Sequence, residues 1–342
     1  VYWGKDGETS MSNGAAVFNS SAGYQAVFHL NDTTATIVNS ANSALNGEAV
    51  GTSTTTGQTG GDGYVSAKSG LNVRAFGSSN DGTDNSTPAE NYIKISPAAG
   101  HTLSTHNGPL TIEAWIYSSI GSNGNTSPGT KHIVAHGSGG ASGKAWFART
   151  AALDGSNEQN HYSAGGPNNN EGPVAPWGEQ HHWHFVTAVY DGTHWTIYRN
   201  RENDFWNNPT VTGPEGMSPD SVKYRRIAGT APVASTSPWY IGAASVDNGD
   251  STVMGGWHGW MDEVRISTVA RDSNYVKLNF LTSRGDSVSA AYPLTIGSTE
   301  SPNVTGPYAG WSGHKTITLN TTATGANVPG DVDDFPVLIR LG

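Results

Sequence analysis

The sequence predicts an all-β chain: an antiparallel jelly-roll β-sandwich, with a smaller and incomplete β-sandwich portion at its two ends. Three observations predict it. Apolar and polar residues alternate over short runs, which is the period of a half-buried strand. The runs are bounded by Gly, Pro, Asn and Asp, and Gly alone supplies 44 of 342 residues. Helical spacing is nearly absent: only Ala270–Arg284 sets Val276, Phe280 and Leu281 on one stripe, with Asp272 or Ser273 available as a cap. Many short strands with Gly-rich turns and almost no helix indicate a sandwich or jelly roll.

The clearest strands are Leu110–Tyr117, Trp183–Tyr190, Trp195–Arg199, Pro238–Gly242 and Gly259–Ser267. Between the second and third, Asp191-Gly192 marks a tight turn, because Gly supplies the positive φ that such turns require. On the last, strict alternation puts Trp260, Asp262, Val264 and Ile266 on one face and Glu263 and Arg265 on the other. Three stretches read as long loops: 51–63, 121–129 and 157–178. Residues 283–310, with Ser301-Pro302-Asn303 and Gly306-Pro307, read as a linker, after which Gly313–Asn320 and Phe335–Leu341 are two further strands.

Residues 22–284 resemble the laminin-G-like branch of the concanavalin A-like jelly rolls. Val27–Asn31 with Asn46-Gly47 resembles the opening strand and its turn, and Tyr92–Ile95 with Leu110–Ile116 the next pair. Trp183–Val186 with Tyr190–Gly192 resembles the central hairpin, and Gly259–Ile266 the closing strand. The ends resemble something else. Trp311–Leu341 is similar to the beginning of a bacterial surface domain of unknown function, and Val1–Gly4 with Gly14–Phe18 to the end of that domain. The expected order is a tail strand in 1–21, the jelly roll in 22–284, a linker in 285–310 and head strands in 311–342. Val1–Gly4 then reads as a cut, or a joint, between repeating units. Strands parted from their partners leave open edges that a neighbouring subunit can pair. Head-to-tail pairing that does not close makes a filament. On this reading Tyr2, Trp3, Ile317, Val337 and Ile339 carry assembly, and the partners are copies of the chain or adjacent repeat units.

Composition excludes several classes. Charged residues are 13%, about half the usual share, and the net charge is -10. No basic cluster offers a footprint for nucleic acid. There is no Cys, hence no disulfide framework, no thiolate metal cage and no Cys nucleophile. No apolar run approaches the roughly 18 residues of a membrane span. Low charge with abundant Gly, Ser, Thr and Asn suits a secreted or cell-surface protein.

The residue patterns of catalysis are missing. Glucanases on the resembled fold carry paired carboxylates on one strand, and no Glu-x-Asp-x-x-Glu pattern occurs here. Asp262-Glu263 is the nearest acid pair, and adjacent strand residues face opposite ways. Glu263 with Arg265 reads as an ion pair on a surface or sheet face. No Gly-x-Ser-x-Gly elbow precedes a helix, and no phosphate-binding Gly loop is present. His182 and His184, two apart on one strand, could chelate Zn²⁺ or Cu²⁺ with His194 or His161, although the resemblance accounts for a Trp-His pair at this strand's start. The resemblance also implies a structural Ca²⁺ on Asp262, approached by Asn31 or Asp32; Asn39 stands where the family commonly has Asp, which removes a charge.

Sugar rings stack on exposed aromatic rings while amides and carboxylates fix their hydroxyls. Trp177, Trp206 and Trp257 with Asn169 are the residues expected to hold a glycan. Asn-x-Ser/Thr sequons stand at Asn19, Asn31, Asn85, Asn125, Asn303 and Asn320, and matter only where secreted proteins are glycosylated. The expectation is a non-catalytic extracellular segment, structural or adhesive, of a bacterial surface or fibre-forming protein that engages polysaccharide. The alternative is a polysaccharide-acting enzyme or its carbohydrate-binding module.

Overall fold

A computed structural model describes residues 2–3, 7, 13–32, 34–51, 55–57, 72–76, 91–118, 130–137, 144–154, 157–167, 183–201, 223–245, 252–257, 259–283, 294–300, 311, 313–333 and 335–336. In chain order the strands begin with β1 (Tyr2–Trp3), β2 (Tyr24–Phe28), β3 (Thr36–Ile37), β4 (Gly47–Val50), β5 (Thr55–Gly57), β6 (Asn72–Phe76) and β7 (Tyr92–Ile95). There follow β8 (Leu110–Ser118), β9 (Thr130–His136), β10 (Ala145–Asp154), β11 (Asn157–Gly165), β12 (Trp183–Tyr190), β13 (His194–Arg201) and β14 (Lys223–Ala228). The last are β15 (Trp239–Ile241), β16 (Ala244–Ser245), β17 (Val253–Met254), β18 (Gly259–Ser267), β19 (Leu294–Ile296), β20 (Gly313–His314) and β21 (Ile317–Leu319). Helices are few and short: α1 (Gly14–Val17), α2 (Thr102–Thr105) and α3 (Ser273–Ser283).

Two units are present, residues 14–272 and residues 1–13 with 273–341. The larger is a jelly-roll sandwich of two antiparallel sheets. One has the order β11-β10-β9-β15-β7-β4-β3, the other β14-β13-β12-β8-β18-β6-β5, with β2 also paired to β18. Between them lies one core, to which Ile93, Val134, Phe147 and Ile241 come from the first sheet and Ile112, Ile116, Val186, Ile197, Val264 and Ile266 from the second. Each such side chain contributes about 1.5–3 kcal/mol of burial. The alternation of the sequence is the cause: in β8, Ile112, Ala114 and Ile116 point inward while Glu113, Trp115 and Tyr117 point away from the partner sheet. Strand β12 is buried at all eight positions, its outward residues Trp183, Phe185, Thr187 and Val189 included.

The Asp191-Gly192 turn forms as expected. The Asp191 carboxylate accepts the Thr193 and His194 backbone N–H groups at 2.9 and 2.8 Å, and Gly192 has φ 105°. Other expectations are corrected. The first nine residues of the supposed 157–178 loop are β11, paired along β10 from Asp154↔Asn157 to Trp146↔Gly165. Its polar run, Asn157–Asn160, disguised a strand whose hydrogen-bonding groups are satisfied by a long hairpin partner. The stretch 51–63 holds β5, paired to β6. Residues 14–21 go with the larger unit rather than with a flanking tail, because Phe18 packs edge-on against Tyr24 at 5.3 Å and beside His29 at 5.9 Å. Residues 285–310 are not a bare linker, since they contain β19.

The smaller unit draws on both ends of the sequence. β1 pairs antiparallel with β20, in the register Tyr2↔His314 and Trp3↔Gly313. β19 pairs with β21, Ile296 opposite Ile317. α3, which the sequence placed with the jelly roll, belongs to this unit. Its Lys277 ammonium donates to the Asn327 carbonyl at 2.7 Å, and Tyr275 meets the Phe335 ring edge-on. Val337 and Ile339 lie outside the described residues.

Candidate functional site

The outer face of the β12-β8-β18 strands is a grid fixed by register. Trp183, Tyr117 and Trp260 form one row; Phe185, Trp115 and Asp262 the next; Thr187, Glu113 and Arg265 the third. Strand β13 extends the second row with Asn200 and the third with Tyr198. In the aromatic row the ring centroids lie 5.7 Å apart for Tyr117 and Trp183 and 4.5 Å for Tyr117 and Trp260. Trp183 and Tyr117 are buried, and Trp260 is the partly exposed end of the row. Behind it, the Thr187 Oγ1 and the Asn200 Nδ2 are buried with no hydrogen-bond partner among the described residues.

This grid is not the one that strict alternation predicts. Asp262 stands opposite Trp115 and Arg265 opposite Glu113, so β18 spends three residues where β8 spends two. The extra residue is a β-bulge, at which Glu263 takes φ 51°. The bulge reverses the phase of the strand. Met261, Val264 and Ile266 enter the core, whereas Trp260, Asp262 and Arg265 lie on the outer face. Without it, Arg265 would point into the core.

The bulge also builds a buried polar cluster. The Glu263 carboxylate bonds the His29 Nδ1 at 2.8 Å through one oxygen and the Arg265 guanidinium at 3.0 Å through the other. Glu263 and Arg265 are each 2% exposed and His29 27%. The ion pair foreseen from sequence therefore exists, buried against a sheet rather than on a surface, with Phe18 lying 5.4 Å from the Arg265 guanidinium. The Glu263 charge holds the His29 ring protonated to higher pH than usual, against the opposing effect of burial. Asp262 accepts the Glu263 backbone N–H at 2.9 Å. Sequence reasoning missed His29, and the signal that could have found it is its place one residue past a strand that pairs with β18.

Asp262 is buried, Asn31 is exposed and Asp32 partly so, and no group of three His, Asp or Glu side chains suited to a metal occurs among the described residues. An arginine at the neighbouring carboxylate adds positive charge where Ca²⁺ would need negative. At Asn39 the structure explains the departure from Asp. Its Oδ1 accepts the Val27 and Ala41 N–H groups, and its Nδ2 donates to the Gln25 and Leu45 carbonyls. No carboxylate could make the last two bonds.

Trp257, expected in a glycan site, is 1% exposed and belongs to the core; its indole N–H donates to the Tyr117 carbonyl at 3.3 Å. Trp177, Trp206 and Asn169 lie outside the described residues, as does His182. His184 faces the sandwich interior, where its Nδ1 lies 3.1 Å from the Tyr162 hydroxyl of the opposite sheet. That position gives the buried ring a hydrogen-bond partner at Nδ1.

No known family's sequence profile matches the chain, and no curated protein does. Solved structures do. Domain 4 of an extracellular arabinanase from Geobacillus stearothermophilus, in complex with arabinotriose, aligns at TM-score 0.41 and 10% identity over 74% of this chain and 96% of its own. A structure of botulinum neurotoxin type C, whose cell entry depends on interaction with two ganglioside molecules, aligns at TM-score 0.44 and 12% identity over 85% of this chain. Trypanosoma rangeli sialidase in complex with sialic acid aligns at 0.43 and 11% over 76%. This chain spans 55% of the neurotoxin chain and 33% of the sialidase chain.

Proposed function

We propose that the chain is a non-catalytic, extracellular β-sandwich segment of a bacterial surface or fibre-forming protein, and that it adheres to polysaccharide through the outer face of its larger sheet. The observation that carries this reading is the Trp183-Tyr117-Trp260 row, whose end residue Trp260 is partly exposed. An exposed aromatic ring face is the surface on which the apolar side of a sugar ring stacks. The absence of catalysis is supported by the acid pair itself. Both Glu263 oxygens are occupied by His29 and Arg265, and Asp262 accepts a backbone N–H, so this acid pair does not stand ready across a glycosidic bond. Copies of the chain or adjacent repeat units complete the set of partners. No helix among the described residues is long and apolar enough to cross a membrane.

Affinity electrophoresis in gels containing a panel of neutral and acidic polysaccharides, with and without added Ca²⁺, tests the reading. At least one polysaccharide retards the chain, and Trp260→Ala weakens that retardation about tenfold, equivalent to about 1.4 kcal/mol. A chain that migrates freely in every gel, or a Trp260→Ala variant that migrates like the parent, refutes glycan binding at this face. New reducing ends released from the polysaccharide refute the non-catalytic assignment.

A further inference from the structure

The pairing of β1 with β20 joins segments from opposite ends of the sequence into one small antiparallel sheet. We propose that this contact is exchangeable: β1 of one copy pairs with β20 of a second copy, and repetition of that step links chains head to tail. The inference deepens the assembly part of the proposed function and rests on it. The occupant of the β20 edge is specified by the structure, because the sequence that pairs there within a chain is β1, and a second copy presents the same strand with the same bonds. An exchanged element meets the contacts it already makes, which is why swapping needs no new interface.

The ladder defines how the strand docks. His314 exchanges backbone hydrogen bonds with Glu300 on its other side, the Glu300 N–H donating to the His314 carbonyl at 3.0 Å and the His314 N–H to the Glu300 carbonyl at 3.4 Å. Both backbone polar groups of His314 therefore point away from β1, so Tyr2↔His314 is the closer, non-hydrogen-bonded type of pair. Trp3↔Gly313 is the hydrogen-bonded pair. Glu300 and β1 thus flank β20 on its two sides, while β1 itself pairs with no other strand among the described residues. Among the described residues the ladder is two residues long, and a ladder of that length is a small barrier to opening. The link is heterologous, each copy giving β1 to one neighbour and β20 to another, so it extends into a filament unless its rotation closes a ring.

The absence of Cys makes the test clean. A non-hydrogen-bonded antiparallel pair has its Cα atoms about 4.5 Å apart, within disulfide range. Tyr2→Cys and His314→Cys chains are prepared separately, mixed and oxidised, alongside a chain carrying both substitutions. Exchange predicts disulfide-linked pairs containing one of each single variant, increasing with concentration, and a ladder of oligomers from the double variant. Trp3→Pro, which removes the β1 donor of the hydrogen-bonded pair, abolishes both the association of the otherwise unchanged chain and its pairing. A double variant that links only within itself, with no linked pair in the mixture, overturns the proposal and shows at the same time that both positions accept Cys. Sedimentation of the unsubstituted chain separates the two readings. Association without a Tyr2-His314 link sinks strand exchange alone, and a monomer at every concentration sinks the assembly reading with it.

Discussion

At the residue scale, the most informative side chains are buried polar ones. Asn39 satisfies two backbone donors and two backbone acceptors in the turn between β2 and β4. Asn39→Asp keeps the shape and aims a carboxylate at the Gln25 and Leu45 carbonyls, so urea unfolding registers a loss of roughly 2–4 kcal/mol at pH 7. A loss below the error of the measurement contradicts that account. Histidines set the pH dependence in opposite senses. His29 has its folded-state pKa raised above 6.5 by Glu263, so its contribution is complete below about pH 6.5 and is lost as the pH rises through the folded value. His132 and His136 are pushed down to about 4 by burial, with Lys131 adding to the shift at His132. Their unfolded forms bind protons that the folded forms refuse, so stability is complete above pH 6.5 and falls as the pH drops toward 4. Both His132 ring nitrogens are buried with no partner among the described residues. His132→Leu accordingly raises stability by roughly 2 kcal/mol at pH 5 and by less at pH 8. Equal effects at the two pH values contradict the buried neutral ring.

At the scale of the element, β18 decides the site. Its outward set contains Trp260, Asp262 and Arg265 because Glu263 is absorbed as a bulge in a left-handed conformation. Glu263→Ala and Glu263→Gly both remove the carboxylate and leave Arg265 and His29 without that partner, a loss of about 3–5 kcal/mol for a buried pair. Only Ala also keeps a Cβ at φ 51°, so the Gly variant is the more stable of the two by roughly 1 kcal/mol. Thermal denaturation of the two proteins side by side measures the difference, and a Gly variant that melts below the Ala variant rules out a left-handed backbone at this position. The strand itself was legible, since its nine residues are bounded as the alternation predicts. The bulge was not. Alternation assumes one residue per residue across the ladder, and nothing in the local sequence of Glu263-Val264-Arg265 announces that two of them face one. What forces it is distant: Arg265 must meet the outer face opposite Glu113 while Val264 and Ile266 enter a core built by the other sheet.

At the scale of the whole molecule, the two units differ in how their strands are secured. β8, β12 and β18 are eight or nine residues long and paired on both sides. The strands of the smaller unit are two or three residues long. Local opening of short ladders requires little free energy. Amides of β19 and β21 therefore exchange with deuterium orders of magnitude faster than those of β8 and β12, which exchange only by global opening; equal protection in the two units contradicts this.

The sequence by itself determined the all-β class, the central strands and the Asp191-Gly192 hairpin, because each rests on a local period or a turn residue. It also identified Asp262, Glu263 and Arg265 as the residues to follow. Only the tertiary structure decided which of them share a face, that Trp257 is core while Trp260 reaches the rim, that polar Asn157–Asn160 is strand, and that Tyr2 lies opposite His314. The physical reason is common to all four. Register and burial belong to pairs of segments, and no local pattern specifies the partner.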